Sequence, residues 1–187
     1  SKWCGAGGWR LGTLLFPEGL SHIRDSVRAI ASETYTSVSA PIQYAAIKAY
    51  SEDHSEFLDS SRLILKMIAD YIYRELTSVG MKYQKPQGGF YMICDFSNVK
   101  NITHEINNDK TLCQKILNDI GFAMLPGSDF GLEEEKLLSR IAFVDFDGSE
   151  ALKLISNKNF SQENSLEIIC PQIVKGVLLL KEWIKSQ

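Results

Sequence analysis

The chain has 187 residues, 44% hydrophobic and 23% charged, with a formal net charge of −3. That length and balance suit a globular chain with a sizeable core. Slight acidity without a basic face or arm argues against nucleic acid as a partner, because phosphate neutralisation needs clustered Lys and Arg.

Residues 9–16 form a short apolar run ended by Pro17, which predicts a strand. Residues 18–30 predict a helix, with Leu20, Ile23, Val27 and Ile30 at helical spacing. Residues 32–39 are hydroxyl-rich and predict a loop. Pro41 fits the first turn of a helix running to about Tyr50, with Ser39 or Ala40 ahead of it. Residues 53–79 are the longest periodic stretch. Leu58, Leu65, Ile68, Ile72, Leu76 and Val79 share one face, Leu63, Met67 and Tyr71 widen it, and Gly80 stands as a C-cap. Residues 87–89 predict a turn and 90–96 a buried strand. A helix is expected over 111–120, closed by Gly121. Residues 122–125 predict a short strand cut by Pro126-Gly127. A further strand is expected over 141–146, turned by Asp147-Gly148. Ser149 starts a helix to about Ile155, residues 156–165 form a polar loop, and 171–185 form a last amphipathic helix with Ile173, Val177, Leu180 and Ile184 inside.

The elements divide into two pieces. Residues 1–48 hold one strand and two helices, too few to close a core. Residues 49–187 alternate helices and strands and are expected to fold as an α+β domain. The N-terminus lacks the charged-then-apolar pattern of a signal peptide. The apolar stretch 166–184 is interrupted by Pro171, Gln172, Lys175, Lys181 and Glu182, which is too polar to span a bilayer. Cys4, Cys94, Cys113 and Cys170 are scattered without C-x-x-C spacing, and His22, His54 and His104 do not cluster with them. Free thiols in a reducing cytoplasm and no metal site are expected. The glycine-rich loop over residues 5–8 stands at the very start, with no full element before it. This arrangement is expected of a trimmed or partial chain.

Ser1-Lys2-Trp3-Cys4-Gly5-Ala6-Gly7-Gly8-Trp9-Arg10-Leu11-Gly12 carries the most chemistry. A lysine amine condenses with an aldehyde to a Schiff base. An arginine fork matches a phosphate dianion. The glycines between them permit a tight turn. On residue types alone, a solvated lysine and a surface arginine fit as well. Arg140 has a separate case. A charge at the opening of an apolar strand needs a partner. That partner is either an incoming carboxylate or a nearby acid, Glu133, Glu134 or Glu135, and both readings stand. Tyr35, Tyr91 and Phe130 suit either a pocket wall or the core.

Residues 1–12 resemble the pyridoxal-phosphate attachment motif of the class I and II aminotransferases. They match its small residues, lysine, arginine, aliphatic residue and closing glycine in order. The likeness continues in family order through Ser37-Val38-Ser39-Ala40-Pro41-Ile42-Gln43-Tyr44-Ala45-Ala46 and Gly88-Gly89-Phe90-Tyr91. It extends through Leu125-Pro126-Gly127-Ser128-Asp129-Phe130-Gly131 and Ser139-Arg140-Ile141-Ala142-Phe143. The resemblance implies the C-terminal portion of the PLP-dependent transferase fold type I. This is an α/β arrangement, with helices on a small, mainly antiparallel sheet forming an α+β small domain over 49–187, and a remnant of the large cofactor-binding domain over 1–48.

By the same resemblance Lys2 is the Schiff-base lysine and proton shuttle, Arg10 binds the cofactor phosphate, and Arg140 binds the substrate α-carboxylate. The cofactor is pyridoxal 5'-phosphate, in the complete enzyme rather than in these residues alone. Family members bind its ring with an aspartate, an asparagine and an aromatic that precede the motif. The implied activity is transfer of an amino group between an amino acid and a 2-oxo acid, by a cytoplasmic homo-oligomer. The alternative is a catalytically inert small domain acting through association with another chain. A nucleotide-binding reading of residues 5–8 ranks a distant third, for want of a preceding strand and a lysine–hydroxyl pair.

Overall fold

Hydrophobic periodicity over more than six turns forms the longest element, a 23-residue helix that begins in one compact unit and continues in the next. The structure is a computed structural model and describes residues 2–99, 102, 106–157, 160 and 165–187. The chain divides into two compact units, Ser1–Leu58 and Asp59–Gln187.

In the first unit, 3-10 turns at Gly7–Trp9 and Glu18–Leu20 precede helix α1 (Ser21–Thr34) and helix α2 (Ala40–Ser51). The predicted strand over 9–16 is not formed. Past the turn these residues are irregular, because no neighbouring strand offers a hydrogen-bond ladder. The α1 helix starts later than its apolar spacing suggested, since the first residues tighten into the 3-10 turn, and it runs on into the expected loop. Pro41 sits in the first turn of α2, where its missing N–H costs nothing. Ser39 occupies the cap position without a side-chain bond, and Gln43 Nε2 instead donates to the Val38 carbonyl at 2.7 Å. The α1 helix buries none of its residues and α2 buries only Ala46.

The second unit contains most of helix α3 (Ser55–Thr77), strand β1 (Tyr91–Asp95), helix α4 (Asp109–Ile120), strand β2 (Leu125–Pro126) and strand β3 (Leu138–Ala142). Helices α5 (Gly148–Ile155), α6 (Ser165–Ile169) and α7 (Pro171–Ser186) follow. The sheet is antiparallel, in order β1-β3-β2, with Ile93 opposite Arg140 and Leu125 opposite Arg140 on the other side. Strand periodicity sends Met92, Cys94, Ser139 and Ile141 inward, all buried. There they join a core of Ile68, Ile72, Leu76, Leu112, Ile116, Val177 and Leu180.

All three strand boundaries differ from the sequence expectation, β1 only by losing one residue at each end. The β3 strand pairs over Leu138–Ala142 rather than 141–146, so Arg140 stands mid-strand instead of opening it. Past Ala142 the chain leaves the ladder, yet Phe143 stays buried and its N–H donates to the Phe90 carbonyl, while Val144 is exposed. The β2 strand is confined to Leu125–Pro126, not 122–125. Nor is β1 buried on both faces, since Tyr91 and Ile93 are partly open.

The helix ends follow local chemistry. Asn108 accepts from the Thr111 N–H, and Asp147 accepts from the N–H groups of Ser149 and Glu150, each capping a helix N-terminus. Gly121 closes α4 at φ 70°, a left-handed turn that favours glycine. The polar loop expected over 156–165 lies largely outside the described residues, as does His104. Cys94, Cys113 and Cys170 are buried free thiols, and burial pushes the Cys94 thiol up to about 12. No helix among the described residues is long and apolar enough to cross a membrane.

Candidate functional site

In the first unit the glycine loop is shaped by backbone turns. The Lys2 carbonyl accepts from the Gly5 N–H at 3.2 Å, with Gly5 left-handed at φ 68°. Trp3 anchors the loop, its ring 5.8 Å from that of Tyr50 and 5.9 Å from that of His54. Arg10 is left-handed at φ 55°, unusual for a residue with a side chain, and its Nη1 donates to the Gly7 carbonyl at 3.2 Å. The turn therefore brings the guanidinium back over the loop that follows Lys2. Lys2 and Arg10 are both exposed. No atom lies within 4 Å of where a Cβ would stand at Gly7, Gly8 or Gly12, so the backbone there is open to close approach.

This donor set fits two parts of pyridoxal phosphate. An exposed amine suits its aldehyde, and a guanidinium above open glycine backbone suits its phosphate.

Arg140 lies in the second unit, at the centre of β3 on the sheet face that bears Ile93 and Leu125. Its guanidinium carbon is 4.3 Å from the Tyr91 ring centroid and 4.0 Å from that of Phe130. Two aromatic faces thus hold the cation. Its Nε is buried without a hydrogen-bond partner. Two of the three acids weighed as structural partners are engaged elsewhere: Glu133 pairs with Lys136 at 2.9 Å and Glu134 with Lys110 at 2.6 Å. Arg140 forms no ion pair among the described residues. A guanidinium without an ion pair can take a planar anion through its fork.

Phe130 belongs to a 3-10 turn, Gly127–Phe130, that closes through left-handed Gly131. A Cβ on Gly127 would stand 2.9 Å from both Leu138 Cβ and the Leu138 carbonyl, so only glycine lets this turn lie against β3.

The family described as aminotransferase class I and II matches residues 1–152. The chain belongs to that family. It is 30% identical over 125 residues to an aspartate aminotransferase of Bacillus sp. (strain YM-2), covering 66% of this chain and 31% of that protein. It is 29% identical over 146 residues to a probable aspartate/prephenate aminotransferase of Aquifex aeolicus, covering 72% of this chain and 36% of that one. Among solved structures, an aromatic aminotransferase from Pyrococcus horikoshii superposes with a TM-score of 0.69 at 22% identity, over 96% of this chain and 40% of that chain. The chain therefore spans about a third of the length of the curated relatives it matches. The fold is that of the C-terminal part of these transferases, with a small antiparallel sheet under helices.

Of the aromatics weighed as pocket walls, Tyr91 and Phe130 flank Arg140, while Tyr35 is mostly exposed. Sequence reasoning missed Asp109. Its carboxylate is fully buried and accepts from the Ser128 N–H at 2.7 Å and from Ser128 Oγ at 3.1 Å. An Asp just after a helix cap reads as an ordinary first-turn acid, and nothing local points across nineteen positions to Ser128.

Proposed function

We propose that this chain is the C-terminal part of a pyridoxal-phosphate-dependent aminotransferase that moves an amino group between an amino acid and a 2-oxo acid. The observation that carries this reading is the half-buried Arg140 guanidinium, held between two rings with its Nε unpartnered. Such a group calls for an external carboxylate. In this proposal Arg140 binds the substrate α-carboxylate. Lys2 holds the cofactor through its amine and then carries a proton at the substrate's α-carbon. Arg10 binds the cofactor phosphate. Bound pyridoxal phosphate supplies the electron sink for bond breaking at that carbon. The complete enzyme works as a homo-oligomer in the cytoplasm, a setting supported by the free, buried thiols.

The 187 residues alone are expected to hold the cofactor weakly and not to transaminate. A phosphate contact at an exposed arginine is worth about 1–3 kcal/mol, against about 8 kcal/mol for micromolar affinity. Any accessible lysine offers the same amine.

The test uses the longest natural reading frame containing these residues, loaded with pyridoxal phosphate. Arg140→Ala is expected to raise KM for the amino acid by about a hundredfold, the order of a lost charge pair. Lys2→Ala is expected to abolish turnover. Unchanged KM in Arg140→Ala would remove the basis of the reading.

A further inference from the structure

We propose that Asp109 is a positioning residue for Arg140: its buried carboxylate fixes the Gly127–Phe130 turn, which holds Phe130 against the guanidinium. The proposal deepens the carboxylate-binding reading of Arg140 and rests on it.

A carboxylate with no exposure is costly unless its oxygens are satisfied. The two hydrogen bonds the structure shows at Asp109 come from one residue. Ser128 N–H binds Oδ2 at 2.7 Å and Ser128 Oγ binds Oδ1 at 3.1 Å. The neighbouring Lys110 turns away to Glu134. The first turn of the twelve-residue helix α4 adds its dipole on the favourable side. The whole arrangement thus places one residue of one turn.

That turn is gripped from the other side as well. Gly127 rests on Leu138 at a distance no Cβ tolerates, and Leu138 is two residues before Arg140 on β3. Between the carboxylate on α4 and the backbone of β3, the turn has little room to shift. Phe130 follows Ser128 by two residues, and its ring centroid lies 4.0 Å from Arg140 Cζ. Ring stacking removes rotamer freedom from the arginine, so an incoming carboxylate meets an ordered fork. Loss of the Asp109 bonds frees the turn, and Phe130 then leaves one face of the cation.

Asp109→Ala removes both bonds. Asp109→Asn keeps them, with the amide oxygen accepting from Ser128 N–H and the amide nitrogen donating to Ser128 Oγ. The readout is the Arg140 Nε–Hε NMR signal of the 187-residue chain, which the two rings shift by their ring currents, followed during titration with pyruvate. In Asp109→Ala the signal is expected to move toward the position of a solvated arginine, with pyruvate affinity falling about tenfold, the scale of one cation–aromatic contact. In Asp109→Asn both should stay near the parent values. Ser128→Ala loses only the Oγ bond and should shift the signal in the same direction by less, which keeps the test open if Asp109→Ala does not fold. An unmoved Arg140 signal in both Asp109→Ala and Ser128→Ala overturns the proposal, as does equal loss in Asp109→Asn and Asp109→Ala. If Arg140→Ala leaves pyruvate affinity intact, the carboxylate reading fails instead, and the ring shift still decides the positioning role.

Discussion

A guanidinium between two aromatic rings keeps its charge while water is stripped from both faces, and Arg140 is held in this way. Lysine cannot reproduce it, because an ammonium lacks the flat face and the two-pronged fork. Arg140→Lys is therefore expected to raise KM for the amino acid roughly tenfold or more in the cofactor-loaded enzyme, although the charge is kept. A steady-state comparison of the two forms checks this, and equal KM would mean charge alone suffices. Cys94 allows a second test at this scale. Burial pushes its thiol up to about 12, so the neutral thiol is favoured in the folded state. The sign follows: stability is fully present below the unfolded cysteine value of about 8.5 and is lost as pH rises through the folded value. Cys94 should also label slowly with a thiol reagent at pH 8 in the folded protein, and rapid labelling would contradict its place on the inner face of β1. The sequence placed Arg140 among candidates because a charge in an apolar run stands out. It could not choose between a substrate and Glu133, Glu134 or Glu135, since that depends on which acids find other lysines.

At the scale of elements, α7 is tied to its neighbours by polar contacts at the edge of the core. Lys181 Nζ meets Glu75 of α3 at 2.7 Å, with both side chains mostly buried, and Trp183 Nε1 donates to Asp119 of α4 at 2.8 Å. The hydrogen bond from Lys181, reinforced by Arg74, holds the Glu75 carboxyl below the usual range despite burial. A lowered folded value means this stability is present above the unfolded glutamate value, about 4.3, and is lost as pH falls through the folded value. Glu75→Gln is expected to cost about 1–3 kcal/mol in urea unfolding at neutral pH. Near pH 3 the gap to the parent should narrow, and a gap independent of pH would show that packing rather than charge sets the loss. Asp147→Ala should cost about 1 kcal/mol by loss of the α5 cap. Helices were legible because their period and their ends, Pro41, Gly80 and Gly121, are written locally. Strands were less so: the run over 9–16 has a strand's composition but no ladder partner, and β3 begins at Leu138 because its register is fixed by β1 and β2.

At the scale of the molecule, the first unit leaves much apolar surface open: Leu14 is 73% exposed, Leu15 95%, Ile30 64% and Tyr44 75%. Surfaces of this kind are covered by other protein in stable assemblies. Sedimentation across a wide concentration range is expected to show self-association of the 187-residue chain, and a clean monomer throughout would contradict it. The family was legible because its motifs fall in order from Ser1 to Phe143, within the matched residues 1–152. The stacking around Arg140 and the Asp109–Ser128 link were not, because they join residues from separate elements. The measurement that tests the central claim most directly is borohydride reduction of the pyridoxal-phosphate-treated protein, in the longest natural reading frame containing these residues, followed by peptide mapping. The account predicts one pyridoxyl group per chain, on Lys2 alone, and none in Lys2→Ala. Label spread over several lysines, or a single label on a lysine other than Lys2, would contradict it.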